Sequence, residues 1–231
     1  MQPMNDWPNG LIFYTEDDIR IREFLISTIS QRLMERMRML NPAISFIRVE
    51  TPCLVPASYT DGHIQSGFPV WNVSHGDEKL FLRPETTKGT YELLKTLFPQ
   101  ESQLKKRLPV CVWQSGLSFR VEQDKAFSKL RFKQFYQMEF QLVYAPGTAA
   151  DYHEHAVKSI RWILNGIYKI YGAIETKEDE LPFYSTKTTD VYLFNHEVIA
   201  ISSRKDFDFP VLEISCGLDR LTALYNQEEL Q

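Results

Sequence analysis

The sequence predicts a single α+β domain built on an antiparallel β-sheet flanked by helices. Three observations lead there. Stretches with strand character outnumber those with helical periodicity. Neighbouring strands join through hairpin-like connections. The chain of 231 residues suits one substantial domain, with no internal repeat or low-complexity linker to divide it.

The first element spans residues 16–40. Ile19, Phe24, Ile26, Ile29, Leu33, Met37 and Leu40 fall close to helical spacing, acids come first, and Arg32, Arg36 and Arg38 come late, as a helix dipole favours. Asn41-Pro42 stops this helix. Residues 46–52 form a short strand ended by Pro52, and 55–76, rich in Gly, Ser, Pro and His, read as loop. A strand over 79–86 runs into a helix continuing to about Phe98, and 109–113 is a further strand. Two long strands follow, around Phe119-Arg120-Val121-Glu122 and Arg131 to Glu139, joined by a mobile loop. Residues 151–171 carry helical spacing at Val157, Ile160, Ile163, Leu164, Ile167 and Ile170. A charged break at 177–180 precedes strands near 190–194, 197–202 and 211–214, and a helix over 218–226 closes the chain.

A formal charge of -4 gives no general support for nucleic-acid binding, and no DNA partner is expected. Cys53, Cys111 and Cys216 are odd in number and lack metal-ligand spacing, which fits a reduced, cytoplasmic protein without structural zinc. Residues 1–9 carry no secretory signature, and no apolar run approaches the roughly 18 residues needed to span a bilayer. His63, His75, His153, His155 and His196 lack a nucleophile or metal-ligand arrangement and read as solvent or loop residues.

The chemistry concentrates in the paired strands. Arginine forks grip phosphate oxygens, a carboxylate accepts from an adenine amino group, and an aromatic ring stacks on a base. Arg120 and Glu122, followed by Arg131 and Phe135, offer that set for a nucleoside triphosphate. Taken alone, Arg120 and Glu122 also suit a surface cross-strand pair, Phe135 a core position, and Glu85 a helix cap. Glu139 and Glu213 sit in apolar strand contexts where an unpaired acid is costly, which favours a functional role. Ser215 suits a turn hydroxyl equally well. Lys105-Lys106-Arg107 reads as a solvated face or a phosphate contact, and Lys125 and Lys129 as acceptor-stem contacts.

Four segments together resemble the catalytic core of class II aminoacyl-tRNA synthetases, closest to the homodimeric type of glycyl-tRNA synthetase. Residues 20–56 resemble motif 1, 115–143 motif 2, and 211–227 motif 3, where Gly217-Leu218-Asp219-Arg220 opens a helix. Arg83-Pro84-Glu85-Thr86 matches the family's RPET. Residues 197–204 track its ExxGIAxR strand with Ala200 and Ser202 as departures, and Glu213-Ile214-Ser215 tracks EPS with Ile214 for proline. The resemblance covers nearly all of the chain, which in this reading stops after motif 3 without the family's anticodon-binding domain.

The resemblance implies ATP-dependent formation of an aminoacyl adenylate. Arg120 would hold the α-phosphate and substrate carboxylate, Glu122 the adenine amino group, Arg131 the β/γ-phosphates, and Arg220 the γ-phosphate. Phe135 would stack on adenine, with Val121, Phe132 and Val198 lining the nucleotide. Glu197 and Glu213 would contact Mg²⁺. Glu85, Glu139, Glu213 and Ser215 fall where glycine enzymes bind substrate, and three carboxylates around one small ammonium imply glycine, with alanine or serine as alternatives. A homodimer through the motif 1 helix is implied as well. The acyl acceptor is a tRNA or tRNA-like RNA, or else a carrier protein or small molecule. A non-catalytic accessory subunit is the third reading, disfavoured because Arg120, Arg131 and Arg220 are all present.

Overall fold

Strands β1 (Asp6–Trp7) and β2 (Leu11–Ile12) form a small antiparallel pair ahead of the long helix α1 (Glu16–Leu40). The computed structural model describes residues 6–7, 10–67, 69–121, 130–148, 150–170, 175–177 and 181–228. Thr15 starts α1 through a capping box: its Oγ1 accepts from Asp18 N at 3.3 Å while Asp18 Oδ2 accepts from Thr15 N at 2.8 Å. Such a cap stabilises a helix by about 1 kcal/mol. The buried stripe of α1 is Ile21, Leu25, Ile29, Leu33 and Met37, at intervals of a single turn. Ile19 and Phe24, placed on that stripe by the spacing argument, are exposed instead, because apolar residues of this helix occupy two faces.

The remaining elements follow in order. They are β3 (Ser45–Arg48), β4 (Leu54–Pro56), a 3-10 turn (Ala57–Tyr59), α2 (Asp61–Gln65), β5 (Leu80–Leu82), α3 (Thr87–Leu97), α4 (Glu101–Lys105), β6 (Val110–Phe119) and β7 (Gln134–Val143). Then come α5 (Tyr152–Tyr168), β8 (Glu175–Lys177), β9 (Ser185–Leu193), β10 (His196–Arg204), β11 (Val211–Gly217) and α6 (Leu218–Glu228). Seven strands form the main sheet in the order β3-β6-β7-β11-β10-β9-β8. Every pairing in it is antiparallel except the edge pair β3–β6, which is parallel.

The two faces of this sheet differ sharply. Tyr136, Met138, Phe140 and Leu142 of β7, with Leu212, Ile214 and Cys216 of β11, belong to the core under α1, α5 and α6. On the opposite face the same strands carry Gln137, Glu139, Gln141, Glu213 and Ser215, and β6 adds Gln114. Since side chains alternate along a strand, a period of two puts all of these polar groups on one surface. Only near β6 and α3 does that surface become apolar, where Tyr91, Leu94, Val110, Val112 and Val143 form a second cluster.

Several sequence expectations are corrected. The first strand ends at Arg48 rather than Pro52, because Thr51 N donates to the Gln114 side chain at 3.1 Å instead of to the backbone of the neighbouring strand. Residues 55–76 hold β4, the 3-10 turn and α2, anchored by Val55, which is buried and pairs with Phe81. Arg120 and Val121 lie past the end of β6, and Arg131 to Lys133 precede β7, although Arg120 N still donates to Lys133 O at 2.9 Å. Lys177 closes β8 rather than opening a break, and β9 begins at Ser185. His153 is buried between Ser203 and Thr189 at 3.1 and 2.9 Å, and His155 Nε2 lies 2.7 Å from Arg36 O, so neither is a loop residue. Among the described residues no helix is long and apolar enough to cross a membrane.

Candidate active site

The polar face opens into a cleft of about 650 Å³, within the range of small-molecule sites. It is lined by Glu85, Arg120, Val121, Arg131, Phe132, Phe135, Glu139, Glu197, Val198, Glu213, Ser215 and Arg220. Every site residue singled out from the sequence therefore faces one space, apart from Glu122. That residue, with Lys125 and Lys129, lies outside the described residues. Lys105 sits on α4 in an exposed pair with Glu101 at 2.6 Å, the solvated reading of that cluster.

At one end the strand termini deliver cations. Arg120 reaches back to Pro84 O at 3.4 Å, with its guanidinium carbon 5.2 Å from the Phe135 ring centre. Arg220 projects from the first turn of α6, donating to Leu130 O at 3.1 Å and Glu197 O at 2.7 Å. A register shift between Glu197 and Ile199 in β10 turns Glu197 toward the cleft, where its carboxylate lies 3.6 Å from Arg220. Phe132 takes a deeper place: its side chain belongs to the core while the residue still lines the cleft.

At the other end three buried carboxylates converge. Glu213 is fully engaged: Arg204 Nη1 donates to both oxygens at 2.9 and 2.8 Å, Thr87 Oγ1 donates at 2.5 Å and Gln141 Nε2 at 3.0 Å. Arg204 Nη2 also lies 3.4 Å from Glu85, and Asp206 accepts from Arg204 at 3.0 and 2.8 Å. Burial would raise the Glu85 carboxyl, but the Arg204 guanidinium, with Arg120 behind it, holds the group below its ordinary value. Arg204 holds Asp206 at about 2 in the same way, against its own burial.

Glu139 differs. Its oxygens accept from Thr86 N at 3.1 Å, Thr86 Oγ1, and Ser215 Oγ at 3.2 Å, all neutral donors. Burial, reinforced by Glu213 and Glu85, pushes its carboxyl up to about 7. Arg204 pairs with both Glu85 and Glu213 while sharing its one charge with Asp206, whereas the hydrogen bonds to Glu139 come from neutral groups, so a ligand cation would relieve Glu139 most.

Of the two candidates for Mg²⁺, Glu213 is the more encumbered: its Oε2 accepts three hydrogen bonds and its Oε1 one, so only Oε1 keeps acceptor capacity to spare. No group of three metal-ligating side chains occurs among the described residues. Glu197, partly exposed on the rim, is the less encumbered carboxylate of the pair, and a magnesium ion bound through a single carboxylate, phosphates and water would suit it.

Sequence reasoning missed four lining or supporting groups. Arg204 carries the acid cluster. Tyr184 lies flat under it, its ring centre 3.9 Å from the guanidinium carbon. Gln137 lines the cleft between Phe135 and Glu139, and its buried Nε2 lacks a partner among the described residues. The alternation Phe135, Gln137, Glu139 was the available signal for it. His63, expected in solvent, lines the cleft with its Nε2 at 3.7 Å from Glu85. Arg83, the first residue of the RPET segment, is not in the cleft. It clamps the backbone, donating to Leu117 O at 2.8 Å and Thr51 O at 2.5 Å, and passes so close to Gly116 that a Cβ there would sit 2.6 Å from it.

A mostly antiparallel sheet carrying a cleft with arginines at one end and acids at the other defines the class: a class II synthetase core. Residues 71–225 match the family model for the tRNA synthetase class II core domain (G, H, P, S and T), and the chain belongs to that family. It is 33% identical over 148 residues to a glycine–tRNA ligase of Macrococcus caseolyticus, covering 61% of this chain and 31% of that protein. It is 30% identical over 190 residues to one from Clostridium beijerinckii, covering 66% and 40%. The matched stretch thus spans well under half the length of these relatives. A Giardia lamblia prolyl-tRNA synthetase in complex with prolyl-adenylate shares the fold with a TM-score of 0.71 at 15% identity, over 96% of this chain and 48% of that one.

Proposed function

We propose that this chain activates a small amino acid, glycine, with ATP and passes the acyl group to a tRNA or tRNA-like acceptor. The observation that carries the reading is one cleft lined both by Arg120, Arg131 and Arg220 and by Glu139, whose hydrogen bonds come from neutral donors. A triphosphate answers the first need and an ammonium group the second. Between them the substrate carboxylate oxygen attacks the α-phosphorus, the bond to pyrophosphate breaks, and charge grows on the phosphorus oxygens. Arg120 stands where it can bind both anions. Holding the reactants together is worth roughly 7–11 kcal/mol in favourable cases.

In this reading Arg131 and Arg220 take the outer phosphates, Phe135 stacks on adenine, and Val121, Phe132 and Val198 wall the nucleotide, with Glu122 accepting from its amino group. Mg²⁺ belongs with Glu197 and the phosphates. Glu139, Glu85 and Ser215 receive the amino acid, Glu213 acts by holding Arg204, and the unpartnered amide of Gln137 is free to donate to the substrate. Exposed Ile19, Phe24 and Met39 on α1 support a homodimer through that helix. A cytoplasmic location goes with tRNA charging. Glycine–tRNA ligase relatives at 30–33% identity favour glycine and tRNA.

The test is ATP–pyrophosphate exchange across the twenty amino acids. Glycine-dependent exchange is expected, lost at least 100-fold in Arg120→Ala and Arg220→Ala. Exchange with no amino acid would replace this reading with a non-catalytic one. Charging of total tRNA, compared with candidate carrier proteins, then identifies the acceptor.

A further inference from the structure

His63 has no part in the roles assigned above, yet it stands at the acid end of the cleft with its side chain 14% exposed. Its Nε2 is 3.7 Å from Glu85 Oε2, while Arg204 approaches the other Glu85 oxygen at 3.4 Å. The far edge of the imidazole meets Phe183 edge-on, with ring centres 6.2 Å apart and planes at 85°. Phe183 meets Tyr184 edge-on at 5.1 Å, and Tyr184 in turn underlies Arg204. The two segments are closely fitted, since a Cβ on Gly62 would lie 3.1 Å from the Phe183 ring. His63 and Ser66 from one segment and Leu181 to Tyr184 from the other therefore form the side of the cleft beside Glu85.

We infer that His63 is a positioning residue for the amino-acid end of the cleft, setting the Glu85 carboxylate and, with Phe183, filling the space beyond the substrate α-carbon so that side chains are excluded. This rests on the amino-acid activation proposed above and adds how the cleft selects among small amino acids. Desolvation, together with Arg120, Arg204 and Lys88, keeps the imidazole neutral against the pull of Glu85. A neutral ring can buttress Glu85 without cancelling the negative charge that an ammonium group requires. A wall of this kind acts on a methyl group chiefly by sterics, where misfit is costlier than a lost contact.

The test measures binding of the non-reactive glycyl and alanyl sulfamoyl-adenosine analogues to the whole chain by calorimetry. His63→Ala should weaken the glycyl analogue about tenfold and lower the glycyl-to-alanyl preference at least tenfold, with ATP affinity changed less than twofold. His63→Gln, which keeps comparable bulk beside Glu85, should recover the glycyl affinity to within threefold. Phe183→Ala, at a residue 43% exposed, should lower the preference on its own even where His63→Ala folds poorly. Unchanged preference in both His63→Ala and Phe183→Ala overturns the inference while leaving activation intact. A wild-type chain that binds neither analogue overturns the underlying reading, and this inference with it.

Discussion

Replacing Glu139 with glutamine separates what the acid does for the fold from what it does for the ligand. The carboxyl lies at about 7 in the folded chain, against an ordinary glutamate value of 4.5, because burial, Glu213 and Glu85 all disfavour its charge. The folded value is the raised one. Stability is therefore undiminished below about pH 4.5 and falls as pH climbs through about 7. At about 1.4 kcal/mol per pH unit, the ionised group destabilises the empty protein by about 3 kcal/mol at pH 8 and by less than about 1 kcal/mol at pH 5. Glutamine keeps an oxygen for Thr86 N and Oγ1 and turns its amide toward Ser215, so the hydrogen bonds survive. Urea unfolding of Glu139→Gln should show a gain of about 3 kcal/mol at pH 8, or roughly 6 °C in Tm for a chain of this size, and little at pH 5. Glycine-dependent exchange should fall at least about 100-fold in the same variant, because the ammonium loses its countercharge. Equal stability of variant and wild type at pH 8, or retained exchange, would refute the account of Glu139.

The same titration predicts that the amino-acid KM of the wild type drops about tenfold between pH 6 and 8 as Glu139 ionises, and a flat profile would count against it. Arg204→Leu strands Glu213 and Glu85 beside Asp206, so urea unfolding at pH 7 should show a loss of about 3–5 kcal/mol, shrinking in acid as the carboxylates protonate. Tyr14→Phe removes the 2.6 Å donor to Asp219, whose carboxyl burial has already pushed up to about 6. A loss of about 1–3 kcal/mol at pH 8, smaller at pH 5, should appear in thermal unfolding, since the vanished bond served the ionised form.

Elements with a strong period and a long run were legible: α1, α5, the body of β7, and α6. Short elements were not. Val55 and Phe81 hold β4 and β5 through a single buried pairing that local composition does not announce. The start of β9 reads as polar because Thr188 and Thr189 bury their hydroxyls against Ser202 and His153. In the site, residues whose chemistry is carried by type and order, such as Arg120, Arg220 and Glu139, could be placed in advance. Arg204 could not be assigned its task, because pairing with Glu85 and Glu213 depends on three segments meeting, at positions 85, 204 and 213. His63 was invisible for a similar reason: only the fold brings position 63 beside 85 and 183.

The strand order has a bearing on how this chain is made. Residues 211–217 lie between β7 and β10, so they join one ribbon of three strands, β3-β6-β7, to another, β10-β9-β8. Until that late segment emerges from the ribosome, each ribbon presents a bare hydrogen-bonding margin to its neighbours in the cell. The last described strand is thus the keystone: a ribosome stalled before residue 211 would release two sticky half-sheets with no shared floor for a nucleotide.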